Sequence, residues 1–255
     1  MGRLADKVCI VTGAAGGQGK VCVKRFSEEG ALIVASDLSP DAAKTLQASC
    51  QNPNNFHYVA GDVTNPSTLE NIVSEAVDKF GRIDVLFNNH GAMVGSPFLE
   101  HTMEELDLVL NVNVRATFRL SQLVAQQMVN QGDGGSIINN SSTGGIVGFP
   151  DMSGYGMSKA GVAQLARSLA NDLKAYKIRV NAICPGAIDT PMPHKYLEKF
   201  ADKKMEIWQA MEEAHLVGRL GEPEEVINLV LFLASDESTF MNGAVIPIDG
   251  GYTAV

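Results

Sequence analysis

Short runs rich in Val and Ile recur along the chain, and between them lie longer stretches in which apolar residues return every three or four positions. The first pattern is that of strands covered on both faces; the second is that of amphipathic helices. The runs predict strands at Lys7–Thr12, Leu32–Ser36, Phe56–Ala60, Ile83–Phe87, Gly135–Asn140, Arg179–Cys184 and Ala244–Ile248. After Tyr155, the residues Val162, Leu165, Ala166, Leu169 and Leu173 make one apolar stripe, and a second long helix is predicted over about Met103–Val129. Alternating strands and helices build βαβ units with right-handed crossovers. The expected class is therefore α/β: a doubly wound parallel sheet of about seven strands, helices on both faces, three layers. Ligands of such sheets bind in the crevice at the carboxyl ends of the strands.

Composition narrows this picture. With 255 residues, 45% of them hydrophobic, the chain is long enough to bury one large core, and residues 1–255 read as one domain. A net charge of −9 argues against nucleic acid or an anionic membrane as partner. The local cluster Lys195, Lys199, Lys203 and Lys204 reads as a solvated helix face. No apolar run approaches the roughly 20 residues of a membrane span, and the first residues, MGRLADKVCIVTG, lack the long apolar region of a signal peptide. The expected location is cytoplasmic. Cys9, Cys22, Cys50 and Cys184 show no paired spacing and are expected as reduced thiols, and the five histidines show no metal pattern. The stretch 190–219 is a long, Met- and charge-rich excursion of the kind that shapes substrate sites.

Two clusters carry candidate chemistry. Thr12-Gly13-Ala14-Ala15-Gly16-Gly17-Gln18-Gly19 follows an apolar strand and opens a helical pattern. Taken alone it fits a plain strand-to-helix turn as well as a pyrophosphate cradle, in which glycines let the backbone approach and helix N-terminal amides hold the charge. Asp37 follows the next strand, eighteen residues after Gly19, where a carboxylate accepts hydrogen bonds from the adenine-ribose hydroxyls and repels a 2′-phosphate. No Arg or Lys lies within positions 13–19 or directly after Asp37, so NAD is expected rather than NADP; Lys20 reads as a solvent-facing helix residue. The second cluster is Tyr155-Gly-Met-Ser-Lys159, with Ser141 and Ser142 upstream. Residues four apart share a helix face, so the ammonium lies near the phenol. A free tyrosine titrates near about 10, and each unit of depression needs roughly 1.4 kcal/mol of preferential phenolate stabilisation. An isolated Tyr and Lys at this spacing is usually an ordinary surface pair, so the surrounding order decides.

That order resembles the classical short-chain dehydrogenase/reductase family over essentially the whole chain. Thr12-Gly13, Gly17 and Gly19 match its TGxxxGxG, Asp62-Val63 its adenine-side turn, and Asn88-Asn89-His90-Gly91 its NNAG. Ser142 stands thirteen residues before Tyr155, Lys159 completes YxxxK, Pro185-Gly186 with Thr190 looks like PG…T, and Asp249-Gly250-Gly251 resembles the C-terminal signature. The resemblance implies a Rossmann-type fold and a catalytic set of Asn113, Ser142, Tyr155 and Lys159. It implies a cofactor set of Gly13, Gly17, Gln18, Gly19, Asp37, Asp62, Val63, Asn89, Gly91, Tyr155, Lys159, Pro185, Gly186, Ile188 and Thr190. Tyr155 would act as general acid and base, Ser142 would hold the substrate oxygen, Lys159 would depress the tyrosine, and Asn113 would anchor a water chain. Homotetramers are usual in the family, packed through helices matching about Met103–Val129 and Tyr155–Ala175; Ala244–Ile248 and the tail Tyr252–Val255 suit a second interface.

Two residues depart from the pattern. His90 replaces the alanine of NNAG and is expected to point into a roomier loop or hydrogen-bond locally. Asn140 stands where an apolar residue is commoner and is expected as a satisfied buried amide. Thr143, Gly144, Phe149, Met93, Met152, Met192, His194 and Trp208 are the candidates for the substrate side, and core packing is the alternative for each methionine and for Trp208. Their apolar character points to a neutral, moderately hydrophobic secondary alcohol or ketone. The expected activity is NAD-dependent hydride transfer to or from such a substrate. The alternatives are an NADP-preferring carbonyl reductase and a non-catalytic NAD(H) sensor. An enoyl reductase is disfavoured because related enzymes commonly place six residues between Tyr and Lys, and an extended epimerase because it needs a longer C-terminal domain.

Overall fold

A computed structural model of the chain describes residues 2–255; Met1, the first residue of the expected 1–255 domain, lies outside them. Seven strands, β1 (Val8–Thr12), β2 (Leu32–Asp37), β3 (Phe56–Ala60), β4 (Val85–Asn88), β5 (Gly135–Asn140), β6 (Ile178–Pro185) and β7 (Val245–Ile248), form one parallel sheet in the order β3-β2-β1-β4-β5-β6-β7. The strand order reverses between β1 and β4, which opens the crevice expected of a doubly wound sheet. β1 is buried at every position because helices cover both of its faces.

Period-two alternation divides the strand side chains between two cores. Cys9, Val11, Ile33, Ala35 and Ile138 face one core, which includes residues of helices α1 (Gly17–Glu28) and α2 (Ala42–Ala48). Ile10, Val34 and Ile137 face the other, packed by helix α3 (Pro66–Phe80). The helix expected over Met103–Val129 is present as α4 (Met103–Val109) and α5 (Ala116–Gln131), joined without a break by a π-helical turn at Leu110–Arg115. Thr102 opens α4 with a capping box to Glu105, and Gly132 in the left-handed region ends α5. Helix α6 (Ser153–Asp172) carries the stripe after Tyr155: Val162, Ala166 and Ala170 are buried on it. The excursion 190–219 folds as α7 (Pro191–Leu197), a short 3-10 segment and α8 (Lys204–Glu213), after which α9 (Pro223–Ala234) joins α1 on the first core. All four cysteines are buried and free. Among the described residues no helix is long and apolar enough to cross a membrane.

Candidate active site

The sheet brings the sequence-predicted residues to its carboxyl edge, strand by strand. Gly13 follows β1 in the left-handed region, with φ +59°, and a Cβ there would sit 2.9 Å from the backbone of His90, so the position demands glycine on both counts. Gly17 begins α1, and a Cβ on it would sit 2.6 Å from Thr190 Cγ2, so the glycine loop and the segment after β6 meet across the crevice. No acidic residue occupies the first turn of α1.

Asp37 ends β2, where Oδ2 accepts from the Ala15 amide at 2.9 Å and Oδ1 from the Leu38 amide at 2.8 Å. This ties the carboxylate to the glycine loop. Asp62 and Val63 follow β3; Asp62 Oδ1 accepts from both the amide and the hydroxyl of Thr64 at 2.8 Å, and Val63 is buried. Asn89 and Gly91 follow β4. Pro185 ends β6, and Gly186, Ile188 and Thr190 run from it toward α7.

At the centre, Tyr155 and Lys159 are buried on one face of α6, with the Lys159 Nζ 5.9 Å from the phenol ring centroid. Burial pushes the Tyr155 phenol up from its ordinary value, and its hydrogen bond with the Ser142 hydroxyl pulls the other way. Burial also pushes Lys159 down to about 8, with Cys184 opposing that shift. Ser142 stands just after β5, and its Oγ also accepts from the Gly144 amide at 3.1 Å. Ser141 donates to the Lys159 carbonyl at 2.7 Å and so fastens α6 to the end of β5.

A polar chain joins this cluster to the glycine loop. Lys159 Nζ donates to the Asn140 carbonyl at 2.7 Å. The Asn140 carboxamide donates to Gln18 Oε1 at 2.8 Å and to Asn89 Oδ1 at 2.9 Å, and Asn89 Nδ2 donates to the Gly13 carbonyl at 3.0 Å. Asn140 is not the fully satisfied amide expected: its Oδ1 is buried without a protein partner, because both of the amide's contacts use the nitrogen.

Asn113 sits in the π-helical turn. Its Oδ1 accepts from the Ala92 amide at 2.8 Å, and its Nδ2 donates to the Ala92 carbonyl and to Ser158 Oγ, each at 2.9 Å. The side chain thus clamps the segment after β4. A Cβ on Gly91 would approach Lys159 Nζ to 3.3 Å and Asn113 Oδ1 to 3.4 Å, so that clamp holds bare backbone against the lysine.

His90 hydrogen-bonds locally. Its Nδ1 meets Thr12 Oγ1 at 2.7 Å and its Nε2 meets Thr117 Oγ1 at 3.2 Å. Thr12 Oγ1 also accepts from the Asn89 amide at 3.1 Å, so one hydroxyl links the end of β1 to the loop after β4. Burial, reinforced by Lys159, pushes the imidazole down to about 3, and it is neutral at physiological pH.

The expected substrate-side residues are more dispersed. Thr143 and Gly144 are buried in a 3-10 turn directly after Ser142. Gly144, Phe149 and Met152 border a depression of about 280 Å³. Met93 is half-buried beyond β4, while Met192, in the first turn of α7, is 43% exposed. His194 pairs with Asp189 at 2.7 Å and stacks on Trp208 at 4.6 Å. A larger cavity, about 490 Å³, is lined by Lys7, Arg82, Asp84 and Arg179 at the amino ends of the strands, away from Tyr155. Tyr252 is a neighbour the sequence reading assigned elsewhere: it packs edge-on against Phe149 at 5.5 Å, within its own chain. Only a fold-back of the tail, which no local pattern encodes, puts it there.

Residues 13–253 match a family model described as enoyl-(acyl carrier protein) reductase. The 3-oxoacyl-[acyl-carrier-protein] reductase FabG of Thermotoga maritima is 41% identical over 250 residues, covering 98% of each chain. Cyclopentanol dehydrogenase of Comamonas sp. is 35% identical over the full length of both chains. The crystal structure of levodione reductase superimposes with a TM-score of 0.95 at 32% identity, covering 99% of each chain. A full-length sequence match, the same fold and the ordered motifs agree, and the chain belongs to the classical short-chain dehydrogenase/reductase family of oxidoreductases.

Proposed function

We propose that this protein is an NAD-dependent dehydrogenase or ketone reductase, acting on a secondary alcohol or its ketone with Tyr155 as general acid and base. The observation that carries the reading is the buried Ser142–Tyr155–Lys159 cluster, linked through Asn140 and Asn89 to the glycine loop. The residues along the crevice fit a dinucleotide. Gly13, Gly17, Gln18 and Gly19 border a helix N-terminus free of acidic side chains, which suits a pyrophosphate. Asp37 suits the adenine ribose and disfavours a 2′-phosphate. Asp62 and Val63 lie on the adenine side, Asn89 and Gly91 in the middle, and Pro185, Gly186, Ile188 and Thr190 on the nicotinamide side. The buried, unpartnered Asn140 Oδ1 stands in the same row as an acceptor for a cofactor hydroxyl or amide.

When bound, the nicotinamide supplies the hydride acceptor or donor. Tyr155 Oη takes the alcohol proton in oxidation and returns a proton in ketone reduction. Ser142 Oγ holds the substrate oxygen. Burial alone works against a phenolate, so the Lys159 ammonium offsets it and favours the ionised tyrosine. Asn113, engaged by Ala92 and Ser158, keeps the segment carrying Gly91 against Lys159.

The substrate belongs to the neutral, moderately hydrophobic class. Phe149, Met152 and the adjoining Tyr252 are apolar or aromatic, with Met93, Met192 and His194 on the approaches, and the relatives named for cyclopentanol and levodione act on compounds of this kind. Acyl-carrier-protein substrates, named for other relatives, need a docking surface for a large acidic partner, which a net charge of −9 disfavours. The same charge disfavours nucleic acid and anionic membrane. Met103, Leu108, Phe118 and Met157 expose apolar surface on α4, α5 and α6, in keeping with a homotetramer. Four free buried thiols suit the cytoplasm.

The test is NAD and NADP reduction by purified protein offered secondary alcohols, diols, sugars and hydroxysteroids. The reading expects turnover of one structural group, at least about tenfold faster with NAD, a difference of about 1.4 kcal/mol. Faster turnover with NADP would replace it by a carbonyl reductase of the other cofactor class, and tight NADH binding without turnover by a nucleotide sensor.

A further inference from the structure

The excursion carrying α7 and α8 returns to the sheet at His215, a fully enclosed residue that no part of the proton-transfer machinery uses. Its two ring nitrogens have different partners. Nδ1 lies 2.6 Å from the Met211 carbonyl in the last turn of α8, and Nε2 accepts from the Ala187 amide at 3.1 Å. A carbonyl can only accept and an amide can only donate, so the ring is held as the neutral Nδ1–H tautomer. One imidazole therefore closes the end of α8 and simultaneously grips the backbone between Gly186 and Ile188, the segment assigned above to the nicotinamide side.

The surroundings are built for this approach. A Cβ on Gly186 would lie 2.7 Å from His215 Nε2 and 3.0 Å from Asp249 Cα, so only glycine lets the ring reach Ala187. Tyr252 packs against His215 at 5.2 Å while its other contact is Phe149. His215 thus touches the lid, the cofactor-side loop and, through Tyr252, the substrate-side loop.

We propose that His215 is a positioning residue that couples the 190–213 lid to the nicotinamide-side loop through the Nε2···Ala187 hydrogen bond. The cofactor part of this proposal rests on the NAD reading; the lid part does not. Without the bond, α7 and α8 lose their registration on Gly186–Thr190 and open more often, and the loop no longer presents a fixed surface to the nicotinamide half of the dinucleotide. The adenine half, held from β1 to β3, is unaffected.

Two substitutions separate the ring's two bonds. His215→Asn retains a donor at the Nδ1 position and loses the reach to Ala187; His215→Gln retains an acceptor near the Nε2 position and loses the Met211 bond. Trypsin reads the lid directly, because Lys195, Lys199 and Lys203 are exposed on it. In nucleotide-free protein, cleavage at these lysines is expected to be at least about tenfold faster in His215→Asn and within about threefold of wild type in His215→Gln, following local opening. NADH and ADP-ribose are then titrated. His215→Asn is expected to lose about tenfold or more in NADH affinity with ADP-ribose affinity unchanged, and His215→Gln to restore NADH, as the loss of one positioning hydrogen bond requires. A merely structural residue would weaken both ligands together or neither. Equal trypsin rates in wild type and His215→Asn overturn the proposal, as does a parallel loss of NADH and ADP-ribose or a failure of Gln to rescue. Should His215→Asn not fold, His215→Gln alone decides: wild-type behaviour in both assays supports the Ala187 bond, and a tenfold change in either refutes it. If wild-type protein binds neither nucleotide, the NAD reading fails, and the trypsin ratio alone decides the lid coupling.

Discussion

Lys159 Nζ stands 5.9 Å from the centre of the Tyr155 ring, on the same buried face of α6. Burial acts on the two groups in opposite senses, raising the phenol and lowering the ammonium to about 8, so each is drawn toward its neutral form. Lys159 therefore carries its charge below about pH 8 and loses it above. Ketone reduction needs both the tyrosine proton and the ammonium, so kcat/KM is expected to be level from about pH 6 to about pH 7 and to fall above about pH 8. A profile level up to about pH 10 contradicts the role given to Lys159. Because the folded lysine titrates below its unfolded value, its burial penalty on stability is full below about pH 8 and relaxes as pH rises toward 10.5.

Asp37 is held by two backbone amides, one from the glycine loop and one from Leu38, and Asn in its place keeps an acceptor for Ala15 while removing the charge. Asp37→Asn is expected to raise the affinity for NADPH relative to NADH by about tenfold or more, a shift of at least about 1.4 kcal/mol. Fluorescence titration of both reduced cofactors measures it. An unchanged ratio means that the carboxylate does not select the cofactor.

His90→Ala restores the residue usual in the family and tests what the imidazole adds. At about pH 7.5 the variant is expected to be less stable by roughly 2–3 kcal/mol, because Thr12 and Thr117 lose a buried partner and a cavity is left. The folded imidazole titrates near about 3, below its unfolded value of 6.5, so its contribution is complete above about pH 6.5 and declines as pH falls toward 3. The stability gap between wild type and variant therefore narrows in acid. Urea unfolding at about pH 7.5 and about pH 5 decides; a gap of constant size refutes the account of His90.

Residues whose role follows from local pattern were legible in the sequence. β3 and β5 begin and end where the alternation and flanking residues predict, and Tyr155 and Lys159 share a face because helix geometry requires it. Less was legible where the backbone departs from a regular repeat. The π-helical turn that points Asn113 at Ala92 has the same apolar spacing as an ordinary helix within such a short window. Long-range return contacts leave no local trace at all. Asn140 joins Gln18 across 122 positions and His215 reaches Ala187 across 28, and neither pairing is encoded by periodicity at either end. Tyr252, read as part of an interface, is drawn to Phe149 by the left-handed turn at Gly250 and Gly251.

The most direct test of the central claim is turnover by Tyr155→Phe, measured with NADH affinity on the same preparation. The substitution removes one hydroxyl from a buried ring and leaves the packing of α6 intact. The account predicts that turnover falls by two or more orders of magnitude, the size of a lost general acid–base contribution, while NADH binds as in wild type. Near-normal turnover in the variant would contradict it.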